Sequence, residues 1–498
     1  MSTPVNAAAS SVGLLSGGSL VGPVVFETAQ KIAQKHNNVT DQLNYAKEMA
    51  DANKHNLEKL RYSQQMPLVP LRLKIPAPFK PISRVTTPDL DRIADFDIYH
   101  ARNRQRANWN PKDIVRSKDD TTPSTDPAVE GAYNSMVNSL WYFLEGLGFN
   151  SIDAKGMAIK AAVHIGKNYN NAFYTNGTIN LGDGDGKIFH KFAEDLTVIA
   201  HELGHGVVEM ILGGLTYWSQ SGALNESMAD ILGASALQFA MGQTANEADW
   251  LIGKLAMVPY TDDNGKLIDP SLRSMKAPGT AYVNHPRIGT DSQPADMDDY
   301  YSGSRDNYGV HINSGIPNRA FYLAATQVGG FSHEVVLPVW LDATKAISKN
   351  ANFKTFANET LKSAEKLFPG RPEVKAAIKA AWETVKVLGS TVVDKEPKAY
   401  RLIDPDLLDA FEIDTNEYSR LRIQLDGSPI SIAPGVSRAS VGFELNDKSE
   451  AKLVVLVFVD KDNPPQNLPP IFEGYKVVEM DKTGLQDQAI DELHDDHH

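Results

Sequence analysis

The 498-residue chain contains no cysteine, which rules out disulfide bonds, thiolate metal sites and a cysteine nucleophile. Any metal ion must then be held by histidine or carboxylate. Positive charge is also short: 49 Lys and Arg stand against 62 Asp and Glu, a formal net charge of −13, and no basic block interrupts the acidic balance. A polyanion such as nucleic acid is therefore not an expected partner. No stretch reaches the roughly 20 consecutive apolar residues that cross a bilayer, so no membrane partner is expected either. The opening MSTPVNAAASSVGLLSGGSLVGPVVF has no Lys or Arg ahead of its apolar residues, and glycine and serine interrupt them. It does not read as an ordinary signal peptide.

What is present is enough apolar residue, 42%, to bury a real core in two or three packed units. Residues 26–63 are polar, rich in helix formers and loosely periodic, which predicts one or two surface helices. Pro67, Pro70, Pro76, Pro78 and Pro81 then forbid continuous helix and mark a boundary, so residues 1–90 form an N-terminal helical segment with a proline-rich linker. Strand-like MAIKAAVHIG (157–166) and helical DLTVIAHELGHGVVEMIL (195–212) fall in a region expected to divide into lobes over 91–213 and 214–390. Residues 391–498 change character, with β-favouring runs RLRIQL (420–425), ASVGFEL (439–445), KLVVLVFV (452–459) and YKVVEM (475–480). They are expected to form a β-rich appendage of unassigned role. The tail ending HDDHH, with His494, His497 and His498, reads as disordered rather than as a metal site.

The chemistry concentrates in His201-Glu202-Leu203-Gly204-His205, where two imidazoles four residues apart share one helix face and can reach one ion. Glu202, one step round the turn, is placed to take a proton from a water rather than to ligate. Downstream, GALNESMAD (222–230) starts a second helix with Glu226 and Asp230 at i and i+4. Glu226 completes a two-histidine, one-carboxylate zinc set with a fourth position open. Asp230 is suited to accept the outer ring N–H of a ligand histidine and fix its tautomer.

Together with NNAFYTNGTINLGDGDG (170–186), SLRSM (271–275) and DNYGVHINSGIPNRAFYL (306–323), these segments occur in the order found in the thermolysin-like zinc metallopeptidases, which the chain resembles from Ile98 to Leu388. The resemblance implies an α+β, two-lobed fold: an N-terminal mixed α/β lobe with an antiparallel sheet, a helical C-terminal lobe, and HELGH on the helix between them. It implies one catalytic Zn2+ on His201, His205 and Glu226, with Glu202 activating the zinc-bound water. It also implies His311 as the transition-state histidine, Asp306 holding its ring, and Tyr217 helping to bind the oxyanion. On the substrate side, Arg273 corresponds to the arginine that binds a substrate carbonyl, and Asn171 and the Ala172 carbonyl to the groups that hold the peptide main chain. Phe189, Phe192, Val198, Ile252 and Leu272 correspond to the pocket for the side chain after the scissile bond. All five are apolar, so cleavage before bulky hydrophobic residues of protein or peptide substrates is expected.

Two departures from the family pattern carry expectations of their own. The family's paired calcium site needs carboxylates, since calcium takes six to eight oxygens. Here those positions read Thr197, Leu237, Leu251 and Lys254, with Asp249 alone acidic, so the double site is expected to be absent. Asp183 and Asp185 of GDGDG read as a solvated turn. About ninety residues precede the catalytic region, which resembles the short-propeptide, protealysin-like branch, and the resemblance implies a removable pro-segment. Three readings follow. The first is an active neutral endopeptidase, secreted or released without an ordinary signal peptide, with a cytoplasmic location as the alternative. The second is a zymogen or binding protein of the same fold, whose cleft is blocked by the N-terminal segment or the appendage. The third is a non-proteolytic zinc hydrolase.

Overall fold

A computed structural model describes residues 17–35, 47, 87–389 except 263 and 304, 401–402, 414–425, 428–431, 433, 436–445, 451–459, 465 and 468–481. The proline-rich stretch, most of the polar stretch before it and the histidine-bearing tail lie outside the described residues.

The first half builds one sheet and the helix that carries the chemistry. Its elements are β1 (Gly17–Ser19), α1 (Pro23–Lys35), β2 (Phe96–His100), β3 (Ile114–Ser117), α2 (Pro127–Trp141), β4 (Ile159–Ile165), β5 (Ala172–Thr175), β6 (Thr178–Gly182) and α3 (Leu196–Met210). The six strands lie in the order β1-β5-β6-β4-β2-β3. Antiparallel pairing, expected for the whole sheet, is confined to its flanks, whereas β4 runs parallel to both β2 and β6. A parallel neighbour needs a crossover, and α2 supplies it between β2 and β4. That helix starts cleanly because Asp126 accepts the Ala128 N–H and Pro127 sits at its first turn. Residues Thr197 through Val208 of α3 are all buried. A helix buried on every side belongs in the middle of a protein.

The second half is mainly helical: α4 (Ser219–Met241), the short strands β7 (Leu251–Ile252), β8 (Tyr260–Thr261), β9 (Leu267–Ile268) and β10 (Arg273–Ser274), then α5 (Arg305–Asn313), α6 (Gly315–Val328), α7 (Val336–Ala346), α8 (Phe353–Leu367) and α9 (Pro372–Thr384). Trp340 stacks on Trp382 at 5.8 Å, with Phe356 and Phe321 edge-on to Trp340. The contact that matters most for function is between α3 and α4. A Cβ on Gly204 would stand 3.0 Å from the Ala229 Cα, and one on Gly233 would stand 2.7 Å from the Thr197 carbonyl oxygen. Small residues at this crossing let the two helices approach until side chains from both reach one point.

Beyond Leu388 the described residues form β11 (Arg401–Leu402), α10 (Thr415–Leu425), β12 (Val436–Leu445), β13 (Ala451–Val459), β14 (Ile471–Phe472) and β15 (Tyr475–Asp481), the strands in the order β11-β12-β13-β15-β14. RLRIQL, read above as strand, is the end of helix α10. Tyr418, Leu421 and Leu425 are its buried residues, spaced three and four apart, while Ile423 is 76% exposed. That spacing is helical, and packing of the face outweighs the local β preference. Near the N-terminus, α1 is likewise more than a surface helix, because Phe26, Ala29 and Ala33 are buried in the main core.

Candidate active site

The helix crossing brings His201 and His205 from α3 against Glu226 from α4. His201 Nε2 lies 3.5 Å and His205 Nε2 3.4 Å from the two Glu226 oxygens. One ligand atom from each residue falls within 4.8 Å of the others, and all three residues are buried. His201 Nε2 makes no hydrogen bond. A buried nitrogen with no partner is costly unless something else satisfies it. Two imidazoles and a carboxylate converging on one point are a donor set that fits a zinc ion.

The opposite edge of each ring is fixed. His201 Nδ1 is 2.8 Å from Asp230 Oδ1 and His205 Nδ1 is 2.9 Å from Asn225 Oδ1. Such partners choose the tautomer that leaves Nε2 free to ligate. Asp230 is in turn held by both edges of the Arg273 fork, Nε at 2.8 Å and Nη2 at 2.7 Å, and by Asn318 Nδ2 at 2.8 Å. Burial alone would push the Asp230 carboxyl up, but Arg273 and His201 outweigh it and hold the group below the usual carboxylate range. Burial pushes the His201 ring down despite Asp230.

Glu202 is fully buried on the same turn of α3. Across from it, the Tyr217 hydroxyl donates to Glu226 Oε1 and lies 3.1 Å from His311 Nε2. Burial first, then the Glu226 and Asp306 carboxylates, push that phenol far up, so it stays a donor. His311 is held by Asp306, whose Oδ1 is 2.5 Å from Nδ1 and whose Oδ2 accepts the backbone N–H groups of His311 at 2.8 Å and Ile312 at 3.2 Å. Burial opposes the charged ring, but Asp306 and Glu226 raise its pKa overall. This arrangement uses an uncommon backbone: Asp306, Asn307, Tyr308 and Gly309 are all left-handed, with φ of 59, 47, 62 and 80°. Each non-glycine residue there costs about 1–2 kcal/mol. The three Asp306 hydrogen bonds, Asn307 Nδ2 on the Tyr217 carbonyl at 3.2 Å and the Tyr308 ring 4.6 Å from Trp218 offset that cost.

The residues expected on the substrate side are engaged by residues 17–21 of the chain itself. Strand β1 pairs antiparallel with β5, Ser19 opposite Phe173. Leu20 N donates to the Ala172 carbonyl at 2.9 Å, and Arg273 Nη1 donates to the Leu20 carbonyl at 2.8 Å. Asn171 accepts the Val21 N–H at 2.9 Å and returns Nδ2 to the Val21 carbonyl at 3.3 Å. Leu20 is fully buried, in the same apolar cluster as Phe189, Phe192, Val198, Ile252 and Leu272. Asn225, Asn318 and the Leu20–Val21 pair were not singled out from the sequence. The two asparagines lie inside segments noted for other residues, and nothing in GGSLVGP marks it as a cleft-binding strand.

The calcium-related positions have other partners. Thr197 Oγ1 donates to Asp195 at 2.6 Å and accepts from Gly253 N at 2.9 Å, while Lys254 Nζ lies 3.8 Å from Asp249 and 3.9 Å from Asp269. Asp185 caps the N–H groups of Lys187 and Ile188. Asp183 faces His164 at 2.9 Å, whose other ring nitrogen is 2.9 Å from Asp126. These carboxylates, chiefly Asp183, outweigh burial and push His164 up to about 9.

Comparison with known proteins agrees with this geometry. Residues 83–209 match the family model for the thermolysin metallopeptidase catalytic domain, and residues 213–387 match that for its alpha-helical domain. The chain is 41% identical over 296 residues to an extracellular metalloprotease of Pectobacterium carotovorum subsp. carotovorum, covering 59% of this chain and 81% of that one. It is 40% identical over 294 residues to protease PrtS of Photorhabdus sp. (strain Az29), covering 58% and 76%. Among solved structures, the precursor of protealysin, a metalloproteinase from Serratia proteamaculans, matches with a TM-score of 0.58 and 35% identity, covering 74% of this chain and 99% of that one.

Proposed function

Since the chain belongs to the thermolysin family of metallopeptidases and is a metalloendopeptidase, we propose that it cuts peptide bonds before bulky apolar residues, and that it is made as a zymogen. The observation that carries both parts is Leu20: a buried apolar side chain with its N–H on Ala172 and its carbonyl on Arg273.

His201, His205 and Glu226 would hold a zinc ion, which would supply Lewis-acid polarisation of the substrate carbonyl and of the attacking water. Glu202 takes the proton from the attacking water and delivers it to the leaving nitrogen. As the carbonyl oxygen gains negative charge, Tyr217 and His311 donate to it, and Asp306 keeps the His311 ring aimed. Arg273 and Asn171 grip main-chain groups, which any peptide has, so side-chain choice is left to the pocket of Phe189, Phe192, Val198, Ile252 and Leu272. Hydrolysis of a peptide library with zinc-loaded protein tests this reading, with Glu202→Gln as control. Cuts mainly before charged residues would refute the specificity. Hydrolysis undiminished in Glu202→Gln would refute the base.

Latency is supported by the same contacts, because residues 17–22 fill the groove a substrate would use and α1 extends the cover. The paired calcium site is absent in this reading, as Lys254 lies among the remaining carboxylates. Secretion is supported by relatives named as extracellular, and no described helix is long and apolar enough to cross a membrane. Domain limits at 90, 213 and 390 follow the change from pro-segment to catalytic lobes to appendage.

A further inference from the structure

Parallel strands end on one edge of a sheet, and that edge is where α/β proteins gather ligand-binding side chains. Here β2, β4 and β6 run parallel, with His100 ending β2 opposite Val163, and Gly182 ending β6 opposite Ile165. His164 sits at the irregular step of β4 between Ala162 and Ile165, where its own φ is 59°. An irregularity of this kind re-aims a side chain. Asp183 follows β6 directly, and α2, the crossover from β2 to β4, starts at its cap Asp126. The topology thus gathers two imidazoles and two carboxylates from four elements.

Apart from the group at the helix crossing, this is the one place among the described residues where three metal-ligating side chains converge. One atom each of His100, Asp126 and His164 fall within 4.8 Å of one another. The two imidazole rings lie 4.4 Å apart, 36° from parallel. His164 Nε2 is 2.9 Å from Asp126 Oδ2, and its Nδ1 is 2.9 Å from Asp183. Asp126 uses Oδ1 to accept the Ala128 N–H at 3.0 Å, which leaves Oδ2 turned to the ring. His164 is therefore framed as His201 is: a carboxylate orients one ring nitrogen and the other nitrogen points at a prospective ligand group. Asp183 and then Asp126 draw a proton to His164, pushing it up to about 9, and the same negative field attracts a cation. Burial and then His164 push His100 down, so that ring is neutral at pH 7 and keeps a lone pair. His100 Nδ1 accepts the Arg102 N–H at 2.9 Å. A metal on Nε2 would move the ring proton to Nδ1, and Arg102, which is exposed, would turn its N–H to water.

We propose that His100, Asp126 and His164 form a second Zn2+ site, with Asp183 orienting His164. Two imidazoles and a carboxylate suit zinc and fall far short of the six to eight oxygens that calcium takes. An ion here ties the ends of β2 and β4 to the start of α2. Its role is stabilisation, and the proposal stands or falls apart from the peptidase reading.

The test is equilibrium dialysis against zinc followed by metal analysis, on the full chain carrying Glu202→Gln to suppress proteolysis. That chain should hold one zinc ion more than the same chain with His100→Ala added. Equal counts overturn the proposal. Asp183→Asn keeps the shape of the side chain but loses its charge, and should weaken the extra ion about 10–100-fold. Unchanged affinity would overturn the role given to Asp183. A further measurement needs no substitution at the site: zinc added beyond the first equivalent should raise the Tm of the parent chain, because an ion bound to the folded state stabilises it. A Tm that stays constant beyond the first equivalent would refute the site.

Discussion

Arg273 ties Leu20 to the metal ligands: one arm of its guanidinium donates to the Leu20 carbonyl, and the other two donors grip Asp230, which orients His201. Whatever occupies the groove is thus one residue away from the group that positions a zinc ligand.

Replacing Arg273 by Ala should leave Asp230 as a buried carboxylate without its cation. Breaking a buried pair in this way costs about 3–5 kcal/mol. Urea denaturation of the variant should show that loss, and a change below about 1 kcal/mol would mean that water reaches Asp230.

Leu20→Asp places a charge where an apolar side chain is fully buried. The carboxylate is not compensated there and should drive the segment out of the groove. Peptide hydrolysis by the variant should begin without the lag expected of the intact chain. An equal lag in both would place latency elsewhere.

Tyr217→Phe and His311→Ala each remove a donor from the carbonyl oxygen's side of the site. Loss of one such donor lowers kcat by roughly a hundredfold to a thousandfold. KM should change little, and a rise in KM at constant kcat would assign these side chains to substrate binding instead.

His164 predicts a pH dependence of stability. Its folded pKa is raised to about 9 from an ordinary 6.5, so its bonds to Asp183 and Asp126 contribute fully below pH 6.5 and fade as pH rises toward 9. Thermal unfolding between these limits should fall more steeply in the natural chain than in His164→Gln. Parallel curves would show that the ring is neutral in the fold.

If the paired calcium site is absent as proposed, chelation should abolish peptidase activity while leaving the far-UV circular dichroism intact, since Thr197 and Lys254 already have protein partners. Unfolding on chelation, reversed by calcium and not by zinc, would contradict this.

The convergence of His201, His205 and Glu226 was legible because its geometry is local: two histidines four apart on one helix, a glutamate and an aspartate four apart on the next. What was not legible depends on the chain meeting itself. Asn225 and Asn318 act through contacts with His205 and Asp230, which no spacing encodes. The parallel centre of the sheet follows from where α2 carries the chain, and strand-like runs alone do not report their neighbours. RLRIQL looks β-forming only if Tyr418, just outside that window, is left out. The docking of Leu20 and Val21 is invisible in GGSLVGP, since a strand that borrows a groove needs no pattern of its own.

Strand β1 also closes the sheet at β5. Were the segment to leave, β5 would become a bare edge, with main-chain donors and acceptors offered to any extended peptide. The same openness that lets a protease be indifferent to sequence also invites pairing between copies. A chain that keeps its edge covered by its own first residues can thus accumulate, folded and at high concentration, without adhering to its neighbours.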